Sequence, residues 1–264
     1  MQTDMTRPTS LAELLRQPCP WVVAHRGDSA HFPENSLSAF RSAISKGADL
    51  IELDLCLSRD RVPVVIHDRT LERTTNGNGA VAEMDFSQLR KLDCGSWLDL
   101  RFREERLPSL KEVLQLVSGQ ICLNIEIKGS AYEARPKEDG IESQVCQLVH
   151  GLGCADQVVV SSFEHRVLDR IRGVPESLPV APLLERPASA EEIIRLVRKH
   201  QAFSCHVNER HLGPELAEEL GKEGIVLLAY TVNNEQRIRE LADWGISGII
   251  TNDPGSMRKL MATK

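Results

Sequence analysis

The sequence predicts an α/β fold, a (β/α)8 TIM barrel with a small insertion after the second strand. Short apolar runs alternate with segments of helical periodicity from Trp21 onward. Eight such strand runs can be counted apart from one hairpin partner, and a length of 264 residues suits a barrel of that number. Polar residues gather at the C-terminal ends of the runs, where such a barrel keeps its functional groups: His25, Glu52 and Asp54, Glu126 and Lys128, Ser161 and Ser162, His206, Tyr230 and Thr231. A doubly wound open sheet is the alternative, but the Gly-x-Gly-x-x-Gly turn that announces one does not occur. Residues 1–264 read as one barrel domain.

The elements follow in order. Leu11 to Arg16 is expected to form a short helix ahead of the barrel. Trp21 to Ala24 is the first strand, ending at His25. Asn35 or Ser36 can cap a helix whose apolar positions Leu37, Phe40, Ala43 and Ile44 keep helical spacing, and Gly47 stops it. Leu50 to Leu57 is the second strand, and after a turn at 58–61 Val62 to His67 is expected to pair with it antiparallel. Residues 69–106 break the rhythm, with the turn Asn76-Gly77-Asn78-Gly79 and a short helix near Ser87 to Leu92, and read as an insertion over one end of the fold. Helices are then expected at Leu110 to Val117, Glu142 to Leu152, Arg166 to Ile171, Ala190 to His200, Pro214 to Lys222, Asn234 to Trp244 and Ser256 to Met261. The strands between them are Cys122 to Lys128, Val158 to Phe163, Val180 to Leu184, Phe203 to Val207, Ile225 to Val232 and Gly248 to Thr251.

Composition narrows the function. A net charge of −6 gives no electrostatic footprint for nucleic acid or an anionic membrane. No run approaches the length of a membrane span, and Met1 to Pro20 lacks the apolar core of a signal peptide, so no stable membrane anchor is expected. The seven cysteines are scattered with no Cys-x-x-Cys pair; they read as free, buried thiols of a cytoplasmic protein.

Three constellations carry chemistry. Glu52 and Asp54 are two apart in a strand, so both face the same way while Ile51, Leu53 and Leu55 face the other. With Glu126 they offer three carboxylates, which either hold a divalent cation through oxygen ligands, Mg²⁺ or Ca²⁺, or form a salt-bridge cluster with Lys128 and Arg26. His25 and His67 either act as acid and base or are hydrogen-bonded histidines of core or surface. Arg26 and Lys128 either bind phosphate or balance the carboxylates, and one residue can do both. Glu34 stands at a helix start and either orders the loop or reaches substrate hydroxyls. Tyr230 can wall a pocket with an apolar ring and a polar tip. Trp97 and Phe102 either wall the same pocket or, for Trp97 above all, fill a satellite core under the insertion. His206 ends a strand and can line the pocket, whereas His31, His150, His165, His200 and His211 read as surface residues.

Many of these residues lie in blocks: His25-Arg26-Gly27, Pro33-Glu34-Asn35-Ser36, Glu52-x-Asp54, Val64-Val65-Ile66-His67-Asp68, Arg73-Thr74-Thr75-Asn76-Gly77, Gly95-Ser96-Trp97, Pro108-Ser109-Leu110, Asn124-Ile125-Glu126-Ile127-Lys128, Tyr230-Thr231-Val232-Asn233 and Gly248-Ile249-Ile250-Thr251-Asn252. Their order resembles the signature of the glycerophosphodiester phosphodiesterase family, from about Trp21 to Leu260. The resemblance implies that Glu52, Asp54 and Glu126 hold the metal, that His25 and His67 are catalytic, and that Arg26 and Lys128 contact the phosphate. It further implies a small-molecule substrate, a glycerophosphodiester such as a deacylated phospholipid, cleaved to glycerol 3-phosphate and an alcohol. The expected nucleophile is water, or the glycerol 2-hydroxyl through a cyclic phosphate, and the sequence leaves both open. Three positions depart from the family pattern: Ser36 replaces a usual threonine, Tyr230 a common tryptophan and Asn252 a common aspartate, and Asn252 is given no role. Two other functions stay open. One is a lysophospholipase D or sphingomyelinase D-like phosphodiesterase, which needs an apolar patch that the insertion does not obviously show. The other is a non-catalytic phosphate-binding barrel, which would lack a histidine or a metal carboxylate, and none is missing.

Overall fold

The computed structural model describes residues 7–135 and 137–263, so residues 1–6 of the N-terminal segment considered above lie outside it. Among the described residues the strands are β1 (Trp21–His25), β2 (Leu50–Leu57), β3 (Pro63–Val65), β4 (Cys122–Ile127), β5 (Val158–Ser162), β6 (Val180–Leu184), β7 (Cys205–Asn208), β8 (Leu227–Tyr230) and β9 (Gly248–Thr251). The α-helices are α1 (Leu11–Leu14), α2 (Leu37–Ser45), α3 (Phe86–Leu89), α4 (Leu110–Val117), α5 (Ile141–Gly151), α6 (His165–Gly173), α7 (Ala190–His200), α8 (Pro214–Lys222), α9 (Glu235–Asp243) and α10 (Pro254–Ala262).

Eight strands close into a parallel ring, β1-β2-β4-β5-β6-β7-β8-β9 and back to β1. The closure pairs Trp21 with Gly248 and Ala24 with Thr251, and on its other side β1 sets His25 opposite Glu52. β3 lies outside the ring, antiparallel to β2. This is the (β/α)8 barrel expected from the alternation of elements, with the extra strand and the insertion between β2 and β4.

The strands read as continuous apolar runs because both of their faces are covered. Every residue of β2, β4, β5 and β6 is buried. Outward side chains such as Ile51, Leu53, Leu55, Ile125 and Val160 pack under Phe40, Leu114, Val145 and Leu168 of the helices. Each large apolar side chain fully buried in this way contributes about 1.5–3 kcal/mol. Inward side chains divide by height. Trp21, Val23, Leu50, Cys122, Val159 and Leu228 fill the lower barrel, sealed by Leu11 and Leu14 of α1. Two residues further along the same inward face come Glu52, Asn124 and Tyr230, at the mouth. Serine caps fix the helix starts: Ser36 accepts from Ala39 N at 3.1 Å, and Ser109 with Glu112 and Ser189 with Glu192 form capping boxes.

Several expectations need correcting. α1 is shorter than predicted, and β3 is three residues long rather than the whole of 62–67. β7 begins at Cys205, because Phe203 belongs to the partly buried apolar residues at the barrel floor. The satellite core that joins the insertion to the barrel consists of Cys56, Val64, Ile66, Leu71, Val81, Leu89, Cys94 and Leu107, without Trp97. Trp97 instead lies 40% exposed, tied by its indole N–H to Cys94 O at 2.8 Å. Leu98 and Leu100 are exposed beside it, so the insertion does present apolar side chains to solvent. Six cysteines are buried and unpaired, and Cys19 is exposed and unpaired. Among the described residues no helix is long and apolar enough to cross a membrane.

Candidate active site

A cavity of about 260 Å³ opens at the C-terminal end of the barrel. His25, Arg26, Glu52, His67, Glu126 and Lys128 lie on its wall, as do Asn124, Phe163, Glu185 and Tyr230. The strands bring them there from distant parts of the chain. β1 ends in His25, β2 supplies Glu52 and Asp54, and β4 supplies Glu126 with Lys128 just beyond. The β2–β4 register sets Asp54 opposite Glu126 and Glu52 opposite Asn124.

Glu52, Asp54 and Glu126 are all buried, and their ligand oxygens lie within 4.8 Å of one another. Two cations partly balance them. Arg26 Nε is 3.2 Å from Asp54 Oδ2, and Lys128 Nζ is 3.2 Å from Asp54 Oδ1 and 2.5 Å from Glu126 Oε1. The balance is uneven. Asp54 resists the rise that burial alone would cause and sits at about 2, because Arg26 and Lys128 flank it. Glu126 is pushed up to about 7 by burial and by the Asp54 charge, against the pull of Lys128. Burial, then Asp54 and Glu126, push Glu52 well above the usual carboxylate range. The charge of three carboxylates is therefore not met by the protein's own cations, and an all-oxygen donor set of this kind fits a hard divalent ion. A second group, Asp28, His31 and Asp253, also brings ligand atoms together, but Lys46 Nζ already stands 2.8 Å from Asp28.

The loop after β1 is shaped to hold Arg26. Its backbone is in the left-handed region at φ 56°, and its N–H donates to Glu52 Oε2 at 3.0 Å. Gly27 follows at φ 83°, where an added Cβ would stand 2.7 Å from the Ala39 carbonyl carbon. Only glycine lets the loop lie this close to α2.

Each histidine is fixed through Nδ1. His25 Nδ1 meets Asn252 Oδ1 at 2.7 Å, and His67 Nδ1 meets Asp68 Oδ1 at 2.6 Å. Burial, and secondly the Arg26 charge, lower His25 to about 4, so its ring is neutral near pH 7. Asp68 is drawn down to about 2 by Arg73, whose Nε donates to Asp68 Oδ2 at 2.6 Å. Arg73 also pairs with Glu34, and Glu34 with Arg26, both at 2.8 Å. One polar chain thus runs from His67 through Asp68, Arg73, Glu34 and Arg26 to Asp54.

Of the two readings of Glu34, this chain fits loop ordering: both of its oxygens are taken by the guanidinium groups of Arg26 and Arg73. His206 is fully buried inside the barrel, its Nε2 3.0 Å from Ser204 Oγ, and does not line the cavity. His200 is buried rather than superficial, its ring edge-on to His165 with centroids 5.8 Å apart. Trp97 and Phe102 are absent from the cavity wall; Phe102 packs on Phe32 with centroids 5.4 Å apart. The sequence reading missed Phe163 and Glu185, gave Asn252 no role, and saw Asn35 only as a cap. Asn35 donates to Asp54 Oδ2 at 2.9 Å and accepts from Asp54 N at 3.2 Å, which orients that carboxylate. Phe163 and Glu185 each follow the end of a barrel strand by one residue, and that position was the available signal.

Cations that can hold an anion, set beside carboxylates that can hold a metal, define a barrel enzyme working on phosphate esters. The glycerophosphoryl diester phosphodiesterase family model matches residues 25–256. The chain belongs to that family and is an enzyme, a phosphoric diester hydrolase. It is 36% identical over 241 residues to the glycerophosphodiester phosphodiesterase of Caldanaerobacter subterraneus subsp. tengcongensis, covering 91% of this chain and 97% of that protein. A crystal structure of the Agrobacterium tumefaciens glycerophosphodiester phosphodiesterase superposes with a TM-score of 0.77 at 29% identity, covering 92% of this chain and 98% of that one. The Oleispira antarctica phosphodiesterase, solved in complex with the product sn-glycerol-3-phosphate, superposes with a TM-score of 0.82 at 25% identity, covering 92% and 97%.

Proposed function

We propose that the protein hydrolyses glycerophosphodiesters to glycerol 3-phosphate and an alcohol. In this reading Glu52, Asp54 and Glu126 hold a divalent cation, Mg²⁺ or Ca²⁺, and His25 and His67 are the acid and base. The observation that carries it is the buried carboxylate trio at the barrel mouth, short of positive charge, with His25 and His67 lining the same cavity. The product complex of the Oleispira antarctica relative supports glycerol 3-phosphate as product.

A bound divalent cation supplies positive charge against the phosphoryl oxygens. Arg26 presents a planar fork to the same oxygens, and Lys128 adds a point charge. Both already stand against carboxylates, which keeps them oriented before substrate arrives. Neither histidine Nε2 has a hydrogen-bond partner among the described residues, so each is free for proton transfer while Nδ1 is held. The nucleophile, water or the glycerol 2-hydroxyl, loses its proton to one histidine as its oxygen bonds phosphorus; attack by the 2-hydroxyl gives a cyclic phosphate, which water then opens to glycerol 3-phosphate. The bond from phosphorus to the alcohol oxygen breaks, and the other histidine protonates that oxygen. A cytoplasmic site belongs to the same reading, supported by cysteine thiols buried singly in the core.

Exposed Trp97, Leu98 and Leu100 favour one further reading, a lysolipid substrate presented at a membrane or micelle surface. A single assay separates the two. Release of glycerol 3-phosphate from glycerophosphocholine and glycerophosphoethanolamine should vanish with EDTA and return with Mg²⁺ or Ca²⁺. His25→Ala and His67→Ala should each lower it by at least about 100-fold with the fold intact by circular dichroism. Turnover of lysophosphatidylcholine alone would move the activity to lysolipids. Turnover of none of these with either ion, from folded protein, would overturn the hydrolytic reading.

A further inference from the structure

The two halves of the barrel mouth are chemically unlike. β1, β2 and β4 carry the histidine, carboxylates and cations described above. On the opposite arc, Phe163 follows β5, Glu185 follows β6 and Tyr230 ends β8, and all three line the cavity. Phe163 and Tyr230 meet edge to face, with ring centroids 5.8 Å apart and an interplanar angle of 80°. Phe163 is 41% exposed, an uncovered ring at the rim of a cavity.

Glu185 is held from two sides by neutral donors. Asn208 Nδ2 donates to its Oε1 at 3.1 Å, and the Tyr230 hydroxyl shares its one proton between Leu184 O at 2.8 Å and Glu185 Oε2 at 3.1 Å. Among the described residues no Lys, Arg or His nitrogen lies within 4.0 Å of this carboxylate. Of the other acidic groups around the mouth, Glu34 and Asp68 are taken by arginines, Asp54 by Arg26 and Lys128, and Glu126 by Lys128, while Glu52, which accepts the Arg26 backbone N–H, belongs to the buried trio across the cavity. Glu185 is thus an oriented anion with no cation of its own, next to two ring systems.

We infer that Phe163, Tyr230 and Glu185 form a subsite for a cationic leaving alcohol, an amino or quaternary-ammonium alcohol esterified to the phosphate. The inference rests on the phosphodiesterase reading of the same cavity. An ammonium group is attracted to the electron-rich faces of aromatic rings and to an unpaired carboxylate. A quaternary ammonium has no N–H to donate, so rings suit it better than hydrogen-bond acceptors do. The phosphate end of such a substrate is anionic and belongs with Arg26 and Lys128 across the cavity. The substrate's dipole therefore runs with that of the site. A neutral alcohol would leave Glu185 hydrated at no great cost, so the preference is graded rather than absolute.

Calorimetry with phosphocholine and with neohexyl phosphate, which has carbon in place of the quaternary nitrogen, tests the subsite without turnover because neither is a diester. With Mg²⁺ present, the wild type should bind phosphocholine about tenfold more tightly than neohexyl phosphate. Glu185→Gln, which keeps a side chain of the same shape, should bring that ratio close to one, and Phe163→Ala should reduce it. A ratio near one in the wild type, or a ratio unchanged by Glu185→Gln, overturns the subsite. Hydrolysis of glycerophosphocholine and glycerophosphoglycerol by the wild type, run beside it, tests the parent reading separately. Discrimination with no hydrolysis of either diester would overturn hydrolysis and leave the subsite standing; hydrolysis without discrimination would do the reverse.

Discussion

His25 Nδ1 meets Asn252 Oδ1 across 227 positions of sequence. An amide oxygen only accepts, so this contact places the proton on Nδ1 and leaves Nε2 as the free acceptor. Asn252→Ala should lower kcat by about 10- to 100-fold with a smaller change in KM, because the ring loses its orientation and not its chemistry. Asn252→Asp should retain activity and move the acidic limb of the pH–rate profile upward, since a carboxylate beside Nδ1 favours the charged ring. Wild-type kcat in Asn252→Ala would remove the positioning role. The asymmetry with Glu52 and Asp54 is instructive. Those two were legible because a strand's period of two is written locally, in five residues. The Asn252 contact depends on barrel closure, and no local pattern encodes it. Asn35 is similar: its capping chemistry is visible in sequence, its grip on Asp54 is not.

At the scale of elements, the turn joining β1 to α2 concentrates the constraint. Arg26 holds a left-handed conformation and Gly27 lies against the α2 backbone. Gly27→Ala should destabilise the fold by about 1–3 kcal/mol, from backbone strain and overpacking together, as read by urea unfolding. It should also weaken phosphate binding by shifting Arg26, and unchanged values of both would show that the loop yields freely. Elements as a whole were well marked, since caps at Ser36, Ser109 and Ser189 and the apolar periodicity of the helices are local signals. Strand ends were marked less well. Phe203 and Val226 are apolar because they close the barrel floor, and hydrophobicity records burial rather than ladder pairing. In the insertion, Trp97 reads from sequence as pocket wall or satellite core, yet cysteines and aliphatic residues are the buried members of that small core.

Across the whole molecule, the barrel interior changes from apolar floor to charged mouth, and His206 lies within it. Burial alone pushes it down to about 3 from an ordinary 6.5. Between those values the unfolded chain binds a proton at this ring that the folded chain refuses, so the contribution of His206 to stability is whole above pH 6.5 and is lost as pH falls toward 3. His206→Gln should flatten that acid decline by up to about 1.4 kcal/mol per pH unit in denaturation curves. The same acid slope in the variant would place the proton uptake elsewhere.

The pairing of β1 with β9 has a consequence for biosynthesis. The ribosome emits β1 early and β9 last among the barrel strands, so until β9 emerges the nascent sheet has two bare edges and an open interior. His25 meanwhile waits for Asn252. A truncated translation product ending before β9 would therefore lack both a closed ring and an oriented histidine, and would be a target for quality-control proteases rather than a partly active enzyme.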